Sequence, residues 1–347
     1  MNPKTKEYRE KLTQSFIEAL KEDQLDWKRG WEIVGKQRNG KTNAAYRGMN
    51  QFYLRMIAKE RGYEDPRWVT FHQCKENGWQ LQDAKGQGVL VEYWFPYDRE
   101  EKRGLSWQEF RDQKLELDDR YGLRAVYTHV FNAELVQGIP ELELEVRQEH
   151  SLNEVIKKLE QNMGVPILDD GEDRAYYEPS RDQIHLPKAE RFHSDYEYNA
   201  TALHELSHAT GAKHRLDRNI KNIFGTEDYA KEELVAEITA SFIAAELPIE
   251  QTEYHVANHK AYVQSWIEVL QKDPDLLAKS IAQAELAANY LEEMAELIPV
   301  QEKKQEFFME IPEKNDMKNE QLSAMEQCMK KSAEKAVDFR KYQEIER

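Results

Sequence analysis

Cysteine is almost missing from this chain of 347 residues: there are two, Cys74 and Cys328, far apart and without a C-x-x-C spacing. A disulfide scaffold and a thiolate metal site are therefore excluded, and a reducing cytoplasm is the expected compartment. Glycine and proline are modest, at 15 and 11 residues, which excludes a collagen-like chain.

Long apolar runs are missing as well. No stretch approaches the roughly 18 consecutive apolar residues of a membrane span. The first ten residues have no apolar core of the kind that a secretory signal needs. We therefore expect a cytoplasmic protein with no membrane partner. With 40% hydrophobic and 33% charged residues, the chain is apolar and long enough for two folded domains.

Positive charge is in deficit, since 49 basic and 65 acidic residues give a net charge of −16. The deficit is uneven. Residues 1–100 carry 18 basic and 15 acidic residues, whereas the remainder carries 31 and 50 and has a charge of −19. Six of the seven tryptophans also fall in residues 27–107. Because binding to phosphate needs Lys and Arg, only the first hundred residues are suited to bind nucleic acid. We therefore expect two domains with different functions.

The first predicted domain, residues 1–140, mixes helices and strands. Apolar side chains at helical spacing predict a helix over residues 5–22 and a second one from Gly48 to a C-cap at Gly62. Apolar runs predict strands over 68–71, 89–95 and 125–131.

The second predicted domain, residues 141–300, is mainly helical with a short antiparallel sheet, so the whole chain is of the α+β class. A helix over 151–163 precedes two short strands around a turn at 179–181. Further helices are predicted over 198–210, 229–247, 252–271 and 275–297. The charged tail, residues 301–347, is interpreted as a solvated or loosely docked helix, and no catalytic or binding role is assigned to it.

The most informative segment is H-E-x-x-H, from His204 to His208. Residues four apart on a helix project from one face, so the two imidazoles can hold one ion, for which zinc is the first choice. Glu205 lies about 100° around the helix, where a carboxylate can take a proton from metal-bound water.

The third ligand is less clear. His214 completes H-E-x-x-H-x-x-G-x-x-H, the metzincin pattern, but no methionine follows it before Met294 to form the methionine turn of that class. Glu233 lies on a helical stripe with small residues that permits close approach to the His204 helix. It is favoured as the ligand, and Glu237, one turn on, is expected to accept a hydrogen bond from the outer nitrogen of a ligating histidine. The adjacent Glu232 is interpreted as part of a solvated acidic face.

Two groups of motifs resemble one family. Residues 198–218, with the downstream segments 224–225 and 229–237, resemble the zincin-like domain of ArdC antirestriction proteins. Asn43, the segment 46–50, Trp68-Val69-Thr70 and Val130-Phe131-Asn132 resemble the single-stranded-DNA-binding domain that this family shares with conjugative primases of the TraC type. The resemblance covers roughly residues 5–300 and implies a protein of conjugative elements that binds single-stranded DNA and counters host restriction. It also implies a glutamate-zincin ligand at Glu233, although the family usually lacks a histidine at the position of His214.

Binding of a single strand needs positive charge together with aromatic faces on which bases stack. Residues 1–60 carry 13 basic and 8 acidic residues. The best phosphate candidates are Lys36, Arg38, Lys41 and Arg47, and the best stacking candidate is Tyr46, with Trp27 and Trp31 nearby. The alternative is that most aromatics form the core, particularly Trp68, Phe71 and Trp94.

The sequence therefore predicts an ArdC-like, single-stranded-DNA-binding protein with a zinc peptidase site, whose further partner is a host restriction enzyme or a protein substrate. The strand near Ile184 is expected to bind a peptide by edge pairing. Manganese or cobalt also suits these ligands. Two alternatives stay open: a regulatory peptidase that cleaves a repressor without binding DNA, and a DNA-protecting or DNA-mimicking acidic module with structural zinc.

Overall fold

The structure, a computed structural model, describes residues 3–21, 36–142, 151–171, 173–220, 226–244, 259–273 and 275–297. Trp27, Trp31, the segment 224–225, the predicted helix start at 252–258 and the tail lie outside these ranges. The described residues mix helices and strands in the N-terminal half and are mainly helical in the C-terminal half. The predicted α+β class is thereby confirmed.

The N-terminal half contains a sheet and four described helices. Its elements are α1 (Pro3–Lys21), β1 (Arg38–Asn39), α2 (Gly48–Arg61), β2 (Arg67–Thr70), α3 (Phe71–Asn77), β3 (Gln80–Leu81), β4 (Val89–Asp98), β5 (Arg103–Gly104), α4 (Trp107–Asp112), β6 (Tyr121–Asn132) and β7 (Val136–Gln137).

Five of these strands form one sheet in the order β1-β2-β6-β4-β5, and β3 pairs with β7 separately. The long β4–β6 ladder is antiparallel, whereas β1 runs parallel to β2. Helix α2 packs Leu54 and Ile57 against Trp68 and Val91 of the sheet. It ends where the sequence predicts, because Gly62 adopts φ 70°, a left-handed conformation that suits glycine.

The strand predicted over 68–71 ends one residue early. The Thr70 hydroxyl accepts a hydrogen bond from the Gln73 backbone N–H at 3.1 Å, and the Gln73 side chain accepts one from the Thr70 N–H at 2.9 Å. This capping box starts α3 at Phe71 and turns its ring outward, where it is 65% exposed. The assignment of Phe71 to the core is therefore wrong, whereas Trp68 is buried.

The C-terminal half contains α5 (Leu152–Met163), β8 (Ile167–Leu168), β9 (Tyr176–Glu178), β10 (Gln183–His185), α6 (Asp195–Ala209), α7 (Glu227–Ala244), α8 (His259–Lys272) and α9 (Leu276–Met294). Its sheet has the order β8-β10-β9 and is mixed rather than antiparallel, because β8 pairs parallel to β10. Strand β8 could not be predicted from the sequence, because a strand of two residues is too short to show an alternating pattern. In the described ranges, no helix combines the length and apolarity needed to cross a membrane.

The largest apolar cluster joins both halves of the chain. Tyr8, Leu12 and Phe16 of α1 and Phe52 of α2 belong to the same buried cluster as residues of α5 to α9, such as Leu234. Ion pairs and hydrogen bonds also connect the two halves. Lys36, for example, binds the buried Glu292 of α9 at 2.6 Å. The division at residue 140 stays a prediction, but the helices on either side of it share one interior.

Candidate metal centre

Helix α6 fixes the two histidines of the H-E-x-x-H segment. Its first turn is capped by the Ser194 side chain, which accepts a hydrogen bond from the Glu197 N–H. Its apolar side, including Leu203 and Leu206, lies in the core, which holds the helix in place. The Nε2 atoms of His204 and His208 lie 3.2 Å apart on the same face.

Glu233 of α7 closes this pair into a three-residue cluster. Its Oε2 lies 3.4 Å from His204 Nε2 and its Oε1 lies 3.5 Å from His208 Nε2. An ion held tetrahedrally at about 2.1 Å keeps its ligand atoms about 3.3 Å apart, close to these separations. Among the described residues, these three side chains form the group that could hold a metal ion, because their ligand atoms all lie within 4.8 Å of one another. The donor set therefore fits a zinc-type ion.

Carboxylates also contact the outer nitrogens of both histidines. Glu237 Oε2 lies 3.2 Å from His204 Nδ1, in the geometry predicted for it, and Glu232 Oε1 lies 3.2 Å from His208 Nδ1. Such contacts fix the tautomer of an imidazole and leave its inner nitrogen free to bind a metal.

The contact of Glu232 is one that the sequence missed. Glu232 is buried and also binds Arg218, whose Nη2 and Nε donate to its two oxygens at 2.7 and 3.1 Å. Arg218 further donates to the Ser207 carbonyl at 2.8 Å, which ties the loop after α6 to the histidine helix. The solvated face assigned to Glu232 is therefore wrong. Helix α7 packs against both α6 and α9 and has no solvated face at this level.

The ionisation of the cluster follows from these contacts. Burial acts to lower the pKa of His208, but hydrogen bonds to Glu232 and Glu233 outweigh it and raise the pKa to about 9. Burial acts likewise on His204, whose pKa is nevertheless raised well above its usual value by Glu233 and Glu237. Burial works to raise the pKa of Glu233, yet the two histidines hold it far below the usual range. Without a metal, protons therefore occupy the histidines.

Glu205 is the other buried carboxylate of this site. Burial raises the pKa of Glu205, and the charges of His204 and His208 act to lower it. The Tyr177 backbone of β9 also forms a hydrogen bond to this carboxylate. A carboxylate with a raised pKa beside a metal site is suited to accept and return a proton.

The strand that borders this site is β9, at one edge of the three-stranded sheet. Ile184 lies in β10, the central strand, which has neighbours on both sides. The edge pairing predicted near Ile184 is therefore wrong for β10, and a peptide strand could add to β9 instead.

His214 does not join the cluster. It is 62% exposed and its Nε2 lies 3.3 Å from Asp182 Oδ2. The chain turns away from the metal site at Gly211, where a Cβ atom would lie 2.4 Å from Ile220 Cγ2. Glycine at this turn thus reflects close packing, and the geometry favours Glu233 over His214 as third ligand.

The predicted DNA contacts have different surroundings. Tyr46 is 1% exposed and packs in the core between α2 and the sheet, so the base-stacking role predicted for it is wrong. Lys36 is engaged with Glu292, and Lys41 forms an ion pair with Glu76 at 2.9 Å. Arg38 donates to the Asn43 side chain at 3.2 Å, and Arg47 is exposed at the start of α2.

Two family models match the chain on either side of residue 140. The model of the N-terminal domain of anti-restriction factor ArdC matches residues 6–131, and that of a zincin-like metallopeptidase matches residues 154–284.

Curated relatives match across both halves. Two proteins named DNA primase TraC from Escherichia coli are 34% identical over 309 residues and 35% identical over 299 residues. These matches cover 82% and 84% of this chain but 27% and 20% of the primases, so the chain spans about a quarter or less of their length. An uncharacterized protein y4eC of Sinorhizobium fredii is 32% identical over 290 residues, which cover 81% of this chain and 90% of that protein.

Two solved structures are similar throughout. The metal-free structure of the antirestriction protein ArdC from plasmid R388 has a TM-score of 0.65 at 29% identity, and its Mn(II)-bound structure has 0.64 at 30%. Each alignment covers 83% of this chain and 97% of the ArdC chain. The chain described here belongs to the ArdC family of antirestriction proteins and combines its N-terminal domain with a zincin-like domain.

Proposed function

We propose that this protein is a cytoplasmic antirestriction factor of a conjugative element. In this proposal its N-terminal half binds single-stranded DNA and its C-terminal half hydrolyses peptide bonds with one zinc ion. His204, His208 and Glu233 are the ligands, Glu205 is the general base, and Glu237 orients His204. The convergence of three ligand atoms within 4.8 Å carries the proposal.

The chemistry is divided between the metal and the chain. His204, His208 and Glu233 would hold a zinc ion, which when bound would polarise a peptide carbonyl and lower the pKa of a water molecule. Glu205 would accept a proton from the attacking water and return it to the leaving amine. An extended substrate adds to β9, whose Tyr177 backbone already contacts Glu205. Manganese is the main competitor for the site, since a relative has been solved with Mn(II).

The DNA-binding half is supported by charge and by relatives. Residues 36–78 carry 9 basic and 4 acidic residues within a chain of net charge −16. Its family model is the N-terminal domain of an antirestriction factor, and two relatives are named DNA primases. Within this segment, Arg38 and Arg47 remain candidates for binding phosphate.

Two other functions differ in what they require. A regulatory peptidase would cleave its protein target without retaining DNA. An acidic DNA mimic, for which the charge of −19 beyond residue 100 is the supporting observation, would bind a restriction enzyme and ignore oligonucleotides. Gel shifts with labelled single strands, with and without a restriction enzyme, distinguish these functions from the proposed one.

Metal uptake tests the ligand assignment. Purified protein stripped with a chelator should take up about one equivalent of zinc and melt at a higher temperature when loaded. Glu233→Ala should lose the uptake, because two histidines alone leave the site open. His214→Ala is the matched control and should bind as the wild type does. Retained binding in Glu233→Ala together with loss in His214→Ala would reverse the assignment.

The outer contact to His208 gives a further prediction. Glu232→Gln should weaken zinc binding by about 10- to 100-fold, because the His208 ring loses its charged acceptor and Arg218 its partner. Chelator competition measures this affinity. Glu227→Gln, at the exposed start of the same helix, is the control and should bind zinc normally. Equal affinity of both variants would show that Glu232 does not orient the ligand.

A further inference from the structure

Phe71 is an aromatic side chain that lies exposed on the surface of the N-terminal half. Among the described residues, two large hydrophobic side chains are exposed: Phe71, at 65%, and Tyr176, at 44%. Phe71 follows the buried strand β2, and the capping box at Thr70 and Gln73 fixes the position from which its ring projects. An exposed aromatic ring in a fixed position is what a stacking partner requires.

The topology of the sheet places basic residues beside this ring. Strand β1 runs parallel to β2, with Arg38 paired to Arg67 and Asn39 to Trp68. The chain turns directly after Asn39, where the Asn43 N–H donates to the Asn39 carbonyl at 2.9 Å. The ion pair between Lys41 and Glu76, at 2.9 Å, places this turn beside α3, which Phe71 begins. Side chains bridge the two segments: Gln73 donates to Asn39 Oδ1 at 3.1 Å.

Lys75 and Lys41 supply the charge on this surface. Lys75 lies one helical turn after Phe71, on the same face of α3, and is exposed. Lys41 pairs with Glu76 at 2.9 Å, but both side chains are about one-third exposed or more. Exposed pairs of this kind contribute little stability, so a phosphate can compete for Lys41.

We propose that Phe71, Lys75 and Lys41 form a contact site for single-stranded DNA, in which a base stacks on the Phe71 ring and the flanking phosphates bind the two lysines. The site rests on the proposed function, because it assumes that the N-terminal half binds a single strand. It replaces Tyr46, whose ring is buried, as the stacking residue. A single strand fits this surface and a duplex does not, because the bases of a duplex are already stacked on each other.

Stacking and phosphate contacts respond differently to salt, which separates the two roles. Binding of a fluorescein-labelled oligothymidylate is followed by anisotropy over a series of NaCl concentrations. Phe71→Ala should weaken binding by roughly 5- to 100-fold at every salt concentration and leave the salt slope unchanged. Lys75→Ala should reduce the slope of log K against log salt by about 0.7, the value for one phosphate contact of a single strand.

Three controls complete the experiment. Phe71→Trp should retain binding, because any aromatic ring can stack. Tyr176→Ala removes the other exposed ring and should bind DNA as the wild type does. Melting temperatures of the Phe71 and Lys75 variants should equal that of the wild type, because these two side chains lie on the surface.

The outcomes separate this site from the general function. If the wild type binds the oligonucleotide and Phe71→Ala binds it equally well, the site proposed here is wrong and DNA binding lies elsewhere. If the wild type binds no oligonucleotide at low salt, DNA binding by this chain is itself refuted, and the site with it.

Discussion

Glutamine in place of Glu205 should reduce peptide hydrolysis by about 10²- to 10⁴-fold and leave the metal bound. The amide keeps the size of the carboxylate and can still accept the hydrogen bond of the Tyr177 backbone. It cannot take a proton at neutral pH, so water activation and protonation of the leaving amine both fail. Metal content and cleavage of a peptide library, measured on the same preparation, check the two halves of this expectation.

The matched control for this variant is Glu197→Gln on the same helix. Glu197 accepts a hydrogen bond from the His193 N–H at 2.7 Å and does not belong to the metal-binding cluster. Its substitution should leave both hydrolysis and metal content unchanged. Full hydrolysis by Glu205→Gln would remove Glu205 from the reaction, and loss of metal would make it a structural residue of the site.

Zinc affinity should rise with pH, by about tenfold or more per unit between pH 6 and 8. Burial lowers the pKa of both histidines, but the carboxylates raise the pKa of His208 to about 9 and that of His204 well above its usual value. In this window His208 holds a proton that the metal must displace, which contributes about tenfold per pH unit, and the raised pKa of His204 acts in the same direction. Glu233 contributes no proton because its pKa is held far below this range.

The metal-free protein should show the opposite dependence. A histidine whose pKa is raised by folding stabilises the folded state fully below the unfolded pKa of about 6.5. This contribution of His208 is lost as the pH rises through about 9. The increase in melting temperature on zinc binding should therefore grow from pH 6 to pH 9.

Calorimetry in buffers of different ionisation enthalpy measures the protons released. We expect at least about one per zinc ion at pH 7, from His208. His214→Ala serves as the control, since this exposed histidine should not alter the count. An affinity that does not change between pH 6 and 8 would mean that the histidines are neutral before the metal binds.

Spacing along one helix was sufficient to predict much of the metal site. His204 and His208, four residues apart, had to share a face, and the small residues of α7 indicated that Glu233 could approach them. The burial of Glu232 and its contact with His208 could not be predicted in this way. Periodicity indicates which residues share a helix face, but not how many other helices pack around that helix. Its partner Arg218 lies in a loop, where no periodicity applies.

The N-terminal half shows the same limit in two aromatic residues. Tyr46 precedes a helix in a basic segment and was expected at the surface, yet it packs beneath α2. Phe71 continues an apolar run and was assigned to the strand, yet the Thr-x-x-Gln capping box that turns it outward was present in the sequence. The first error needed tertiary packing to resolve, whereas the second came from overlooking a local signal.

The buried Arg55 of α2 donates to the Ser241 carbonyl of α7 at 2.8 Å, eight residues from Glu233 on the same helix. If the chain were cleaved between residues 142 and 151, we would therefore expect the two fragments to stay associated. Each fragment alone would expose to water the apolar surface that the two share in the intact protein. The matches to the TraC primases run through both halves in the same way.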